Sequence, residues 1–220
     1  MTSLLQQVRK FRHDFDFVRR KSKKFDIQLH CELWLKDKLL MQNPCKAGFP
    51  WINYAVIQFL HHFLKKDMKV LEFGSGGSSI FFLKRKVHLI SIEHEEVWLT
   101  EVQKRIPKNR RKVWESHLIS SKNGTNGIPS SIDYLSPIRK IADTSIDLLL
   151  VDGRHRVDCI RRSISKIKPN GYIILDNSDR PEYSETFELL REWQTEETAC
   201  ITNASDWVTP ATIWKRPPVD

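Results

Sequence analysis

Residues 69–79, Lys-Val-Leu-Glu-Phe-Gly-Ser-Gly-Gly-Ser-Ser, constrain the fold of this chain more than any other stretch. Three of the chain's eight glycines, Gly74, Gly76 and Gly77, fall here within four positions. One apolar run (Val70, Leu71, Phe73) precedes them and another (Ile80 to Leu83) follows. That order reads as strand, tight turn, helix. Glycine lacks a Cβ, so the turn can bend sharply and bring backbone N–H groups close to a ligand. The helix N-terminus behind it adds partial positive charge. The stretch predicts a grip on a small polar cofactor.

The flanking sequence repeats this alternation. Residues 51–66 predict an apolar helix carrying Ile52, Val56, Phe59, Leu60 and Phe63 mostly on one side. Strands are expected at 69–73, 87–92, 112–119, 146–151 and 171–175, and helices at 78–84, 97–105, 159–167 and 182–194. Residues 198–202 and 211–215 would pair as strands. The breaker-rich 43–50 and the Asn-Gly pairs within 120–131 read as loops. Continuous apolar strands between helices imply a mainly parallel sheet covered on both faces. Near the N-terminus, Leu4, Val8, Phe11, Phe15 and Val18 step by four and three, an apolar helical stripe within residues 4–33. That stripe suits packing on its own domain, a cap over the site, or a homodimer seam.

At 220 residues a single core is the leading expectation. No apolar run approaches the ~18 residues needed to cross a bilayer, and residues 1–7 do not read as a secretion signal. Cys31, Cys45, Cys159 and Cys200 form no C-x-x-C pair, which argues against a zinc site and suits a reducing cytoplasm. The net charge of +9 is uneven. Residues 1–30 carry eight Lys/Arg against three acids, and residues 84–112 nine against four. Residues 176–206 carry nine acids against two arginines. A basic face attracts nucleic acid, anionic lipid or an acidic substrate, or is simply solvated.

In open α/β sheets ligands bind beyond the C-terminal strand ends. The second expected strand ends in Glu93, seventeen residues after Gly76, where a carboxylate can accept from both ribose hydroxyls of an adenosine cofactor. The dinucleotide fingerprint G-x-G-x-x-G would need glycine at Ser79, and the acid at Glu72 is foreign to it.

Glu72-x-Gly74-x-Gly76 followed by Glu93 resembles the first two motifs of class I S-adenosylmethionine-dependent methyltransferases. The resemblance continues through Ile-Asp-Leu-Leu-Leu-Val-Asp-Gly at 146–153 and Gly-Tyr-Ile-Ile-Leu-Asp-Asn at 171–177, covering roughly 50–216. It implies a Rossmann-like, doubly wound, seven-stranded α/β sheet with an antiparallel C-terminal hairpin. Residues 49–220 would form that domain and 1–48 an N-terminal helical extension or cap. It assigns S-adenosylmethionine to Glu72, Gly74, Ser75, Gly76, Gly77, Ser78, Glu93 and Asp152, with adenine near residues 116–118. Within the family the layout is closest to the catechol O-methyltransferase group, where an Asp after the fourth strand and an Asp-Asn pair after the fifth hold magnesium. Asp152, Asp176 and Asn177 match by type, which makes Mg²⁺ a candidate. The lysine that follows the first Asp in that group is replaced by Arg154 and His155.

The resulting expectation is methyl transfer to a small or medium-sized acceptor, at oxygen. His155 is the candidate base, since its ordinary pKa near ~6.5 suits proton removal at neutrality; it equally suits a helix cap. Asp152 would face cofactor and acceptor. Arg154, Asn177, Arg180 and Tyr183 are candidate acceptor contacts, with Phe49 and Trp51 on the opposite wall. Arg156 either orients an anionic acceptor or starts a solvated helix, and His94 reads as structural. Two other functions remain: nucleic-acid methylation, without an Asn-Pro-Pro-Tyr tetrad after the fourth strand, and a non-catalytic module that keeps the cofactor fold.

Overall fold

The computed structural model describes residues 44–121, 127–202 and 208–218. The expected helix within 4–33, its dimer or cap role, and Cys31 lie outside the described residues. Seven strands form one sheet in the order β3-β2-β1-β4-β5-β7-β6. They are β1 (Lys69–Phe73), β2 (His88–Glu93), β3 (Trp114–Leu118), β4 (Ile146–Val151), β5 (Ile167–Asp176), β6 (Gln194–Ile201) and β7 (Val208–Lys215). The first five are parallel; β7 runs antiparallel to both β5 and β6. This is the doubly wound sheet with a C-terminal hairpin that the sequence leads one to expect.

The period-2 alternation of strand side chains sorts the apolar runs onto two faces. Val70, Leu148, Leu150 and Ile174 pack under helices α2 (Tyr54–Phe63), α3 (Gly77–Lys84) and α4 (Glu96–Arg105), against Val56, Leu60, Phe82 and Val102. Leu71, Phe73, Leu149, Val151 and Ile173 face the other way. There they meet α5 (Ser131–Tyr134), α6 (Arg156–Ser163) and residues from α7 (Ser184–Leu189), including Tyr134, Ile160 and Phe187. Helix α2 starts where Asn53 caps it. Its Oδ1 accepts from Val56 N–H at 3.0 Å while its Nδ2 donates to Thr198 Oγ1 and the Thr209 carbonyl. Such a cap stabilises by about 1 kcal/mol, and here it also ties α2 to the hairpin.

Several boundaries depart from expectation. Residues 43–50 are not wholly loop, since Pro44–Ala47 forms a short helix, α1, with Cys45 buried. The strand expected at 112–119 begins only at Trp114, after a 3-10 turn over Lys108–Val113. Helix α6 ends at Ser163 because Ile167 is already strand, paired with Ile146. The acidic helix expected over 182–194 shrinks to six residues: Pro181–Tyr183 is a 3-10 turn and Gln194 already belongs to β6.

Candidate active site

Strand order reverses between β1 and β4, and the loops leaving these two strands touch. Gly74 has φ of +94°, open to glycine at little cost, and a Cβ there would sit 3.1 Å from Gly153 N. A Cβ on Gly153 would in turn press on Gly74 N at 2.9 Å and on the Tyr134 hydroxyl. Both positions need glycine so that two loops can close on one point. Gly77 is glycine for another reason: a Cβ would run into the Phe49 carbonyl and come within 2.8 Å of Pro44 O, so the α1 turn packs directly on the first residue of α3. A Cβ at Gly76 meets only Cys45 Sγ and Trp98 at ordinary contact distance.

These loops border a cavity of about 270 Å³ at the C-terminal strand ends. Gly74, Ser75, Gly76, Gly77 and Ser78 form one side of it, and Glu93 and Asp152 the floor. Arg154 and Trp51, both named from sequence, line it as well. Adenine was expected near 116–118, yet none of those residues lines the cavity; His94, Glu95 and Trp98, just after β2, do. Phe49 also stays off the wall, its ring 5.8 Å from that of Phe81.

Glu93 is almost wholly buried, and its carboxylate ties the site together. Oε2 accepts from Ser75 N–H at 2.6 Å, and Oε1 accepts from His94 and Glu95 N–H at 2.7 and 2.9 Å. Burial alone would raise its pKa. The bonds from His94, Ser75 and Glu95 outweigh burial and hold it below the usual carboxylate range. His94 Nδ1 lies 2.8 Å from Glu93 Oε1, and Arg154 Nε donates to His94 Nε2 at 3.2 Å. His94, which reads as structural from sequence, lines the cavity; its position immediately after a strand-end acid is the signal for that.

Glu72 lies beneath the loop and does not line the cavity. Fully buried, it accepts from the hydroxyls of Ser78 (2.7 Å), Ser91 (2.6 Å) and Ser79. Ser79 Oγ also receives Gly76 N–H at 3.0 Å. The acid is a prop for the loop rather than a surface of the pocket. Burial pushes its carboxyl up to about 7 despite these three hydroxyls.

His155, expected as the base, is turned away from the cavity. It sits at φ +51° as the cap of α6, and its Nε2 lies 2.8 Å from the Pro129 carbonyl, which can only accept. Asp152 does line the cavity beside the glycine loop, with its side chain about one-third exposed (34%). Burial raises its pKa and the Arg156 guanidinium opposes the rise. Asp176, buried behind it, is raised much further by burial and by the charge of Asp152. Its Oδ1 has no hydrogen-bond partner, as suits a carboxyl kept neutral.

Arg156 bears on the metal question. Its Nε donates to Gly153 O at 3.0 Å. Nη1 donates to Asp176 O (2.5 Å) and Asn177 Oδ1 (3.4 Å), and Nη2 to Asp152 O (2.8 Å) and Oδ1 (2.9 Å). A guanidinium has five N–H donors, and all five are committed. Two of the three residues expected to hold Mg²⁺, Asp152 and Asn177, therefore each have a side-chain oxygen engaged by a fixed cation, and neither Asp176 nor Asn177 borders the cavity. No cluster of three His, Cys, Asp or Glu fit to hold a metal exists among the described residues. The residues present do not fit the magnesium site that the resemblance implied. Asn177 Oδ1 also accepts from Arg180 Nη2 at 3.1 Å, and Arg180 Nη1 donates to the Tyr183 hydroxyl at 3.4 Å. Asn177, Arg180 and Tyr183 thus form one group behind Arg156, outside the cavity wall.

No family model and no curated protein sequence matches the chain. Solved structures do. A methyltransferase from Geobacter sulfurreducens superimposes with a TM-score of 0.54 at 14% identity, covering 84% of this chain and 88% of that one. A putative caffeoyl-CoA O-methyltransferase from Staphylococcus aureus gives 0.51 at 12%, covering 98% and 93%. A precorrin-6y C5,15-methyltransferase from Geobacter metallireducens gives 0.50 at 13%, covering 73% and 86%. At such identities the likeness is one of fold. No helix among the described residues is long and apolar enough to cross a membrane. The strand order, the antiparallel hairpin and the structures that share them give this chain the fold of the class I methyltransferases.

Proposed function

We propose that the chain is an S-adenosylmethionine-dependent methyltransferase acting on a small or medium-sized acceptor, at oxygen. The observation that carries this is the convergence of the glycine loop, Glu93 and Asp152 on one cavity at the reversal point of the sheet. When bound, S-adenosylmethionine supplies a methyl group already activated on a sulfonium, so the protein's task is to position and to handle one proton.

Glu93 stays ionised, and its Oε2 takes only one N–H, leaving a lone pair for a ribose hydroxyl. The open side of Gly76 lets the ligand approach the backbone between Cys45 and Trp98. Arg156 fixes Asp152 in place, and the raised proton affinity of Asp152 suits it to take the proton from an acceptor hydroxyl. Trp51, half exposed (51%), offers an apolar wall to an aromatic acceptor. The methyl acceptor of this reading is therefore a hydroxylated aromatic compound.

Calorimetry with S-adenosylhomocysteine, followed by labelled methyl transfer to a panel of hydroxylated aromatics, tests the proposal. Binding in the micromolar range and transfer to panel members are expected. Absence of binding at millimolar ligand overturns it. Asp152→Asn should lower turnover by about 10²-fold, the usual worth of a positioned base.

A further inference from the structure

The end of the sheet opposite the cofactor cavity carries a second cavity, of about 440 Å³. Lys69, His88, Lys112 and Lys140 surround it, brought from the beginnings of β1 and β2, the turn before β3, and the segment leading to β4. Strands of five residues put it roughly 17 Å from the first cavity. Helix C-termini attract cations through their dipoles, but Lys69 and His88 open strands and gain nothing from that effect.

Most acids nearby are paired with lysines; the exception, Glu115, lines the cavity itself and has only a histidine beside it. Asp147 accepts from Lys69 N–H and pairs with Lys168; Asp143 pairs with Lys166; Glu115 lies 2.8 Å from His117 Nε2. Asp67 pairs with Lys66 and stands 4.0 Å from His88. The side chains of Lys69, Lys112 and Lys140 are exposed and have no carboxylate partner among the described residues. Trp114, its indole N–H held by Ser91 Oγ at 2.8 Å, lines the same cavity half-buried. Exposed Lys65, Lys86 and Arg139 extend the positive field around it.

We propose that this pole is a docking surface for single-stranded nucleic acid, with the lysines on phosphates and Trp114 available to a base. Unpaired lysines around an aromatic-lined hollow match what a single strand presents, a charged backbone with splayed bases. An anionic membrane fits less well, because the pole lacks apolar anchors. The large exposed hydrophobics among the described residues, Phe49, Trp51, Val97, Leu118 and Ile132, all sit toward the opposite, cofactor end. The proposal goes beyond methyl transfer and does not depend on it.

Fluorescence anisotropy with a labelled 12-nucleotide oligouridylate, from 50 to 200 mM salt, tests this in the full-length chain. The wild type should bind, with affinity falling as salt rises. Lys69→Glu, Lys112→Glu and Lys140→Glu combined should weaken binding at least tenfold. The triple variant should also reduce the salt slope by about 2, from three phosphates at ~0.7 each. Unchanged circular dichroism and S-adenosylhomocysteine affinity would show that the variant is folded; if it is not, the corresponding triple glutamine variant should show the reduced slope. An unchanged oligouridylate affinity and slope in the folded variant overturns the proposal. So does a wild type that binds phosphatidylserine vesicles but not RNA.

Discussion

Replacing Glu72 by glutamine should make the protein more stable at pH 8 and leave it almost unchanged at pH 5. Glu72 lies beneath the glycine loop with its carboxyl raised by burial from 4.5 to about 7. A carboxyl whose pKa is higher folded than unfolded favours the fold while it is protonated. That contribution is fully present below about 4.5, declines as pH rises to about 7, and is gone above it. The shift of 2.5 units (7 − 4.5) corresponds to about 3 kcal/mol. For a domain of this size that is on the order of 10 °C in Tm. Glutamine imitates the protonated form. Its carbonyl can accept from Ser79 and Ser91, and its amide can donate to Ser78, whose hydroxyl can turn to accept. Urea unfolding of wild type and Glu72→Gln from pH 5 to pH 8.5 isolates the group, since other titrations cancel in the difference. A curve opening by about 3 kcal/mol in favour of the variant is expected. A variant less stable than wild type at pH 8 would refute the reasoning, because the three hydroxyls would then be holding a carboxylate and not merely tolerating it.

Glu93→Gln should weaken S-adenosylhomocysteine at least tenfold by calorimetry, as a charge-assisted bond to ribose is replaced by a neutral one. Magnesium and EDTA should each leave S-adenosylhomocysteine affinity and methyl-transfer rate within twofold of untreated protein, because Arg156 already engages Asp152 and Asn177. Gly77→Ala should destabilise by about 2 kcal/mol or more in chemical denaturation, since its Cβ would displace backbone carbonyls of Pro44 and Phe49.

What could be read in advance follows from how local each interaction is. Strands β1 and β4 and the second half of β5 announce themselves because both their faces are covered, so nearly every residue is apolar; β3, Trp-Glu-Ser-His-Leu with no buried residue, carries no such signal. The hairpin was seen only in part: the first four residues of β6, Gln194–Glu197, are all exposed and carry no apolar signal. The acidic helix was overextended because charged residues with good helix propensity continue past the point where Trp193 and Gln194 turn back into the sheet. The glycine loop and Glu93 were legible because they lie at predictable strand ends. The role of Arg156 was not, since its partners include atoms twenty and twenty-one residues away. In sequence it is one arginine among several near the start of a helix. His155 lies off the cavity and His94 on it for the same reason: which way a ring points depends on Pro129 and Arg154, both distant along the chain.

The contact between Gly74 and Gly153 makes the two loops one mechanical piece. The first carries the cofactor-side backbone and the second carries Asp152. No side chain fits between them, and Asp152 N–H donates to the Phe73 carbonyl at 3.0 Å, so the two loops are tied where they leave the sheet. If Asp152 takes the acceptor's proton as proposed, a ligand seated against the Gly74 turn would bear on the loop that holds Asp152 as well.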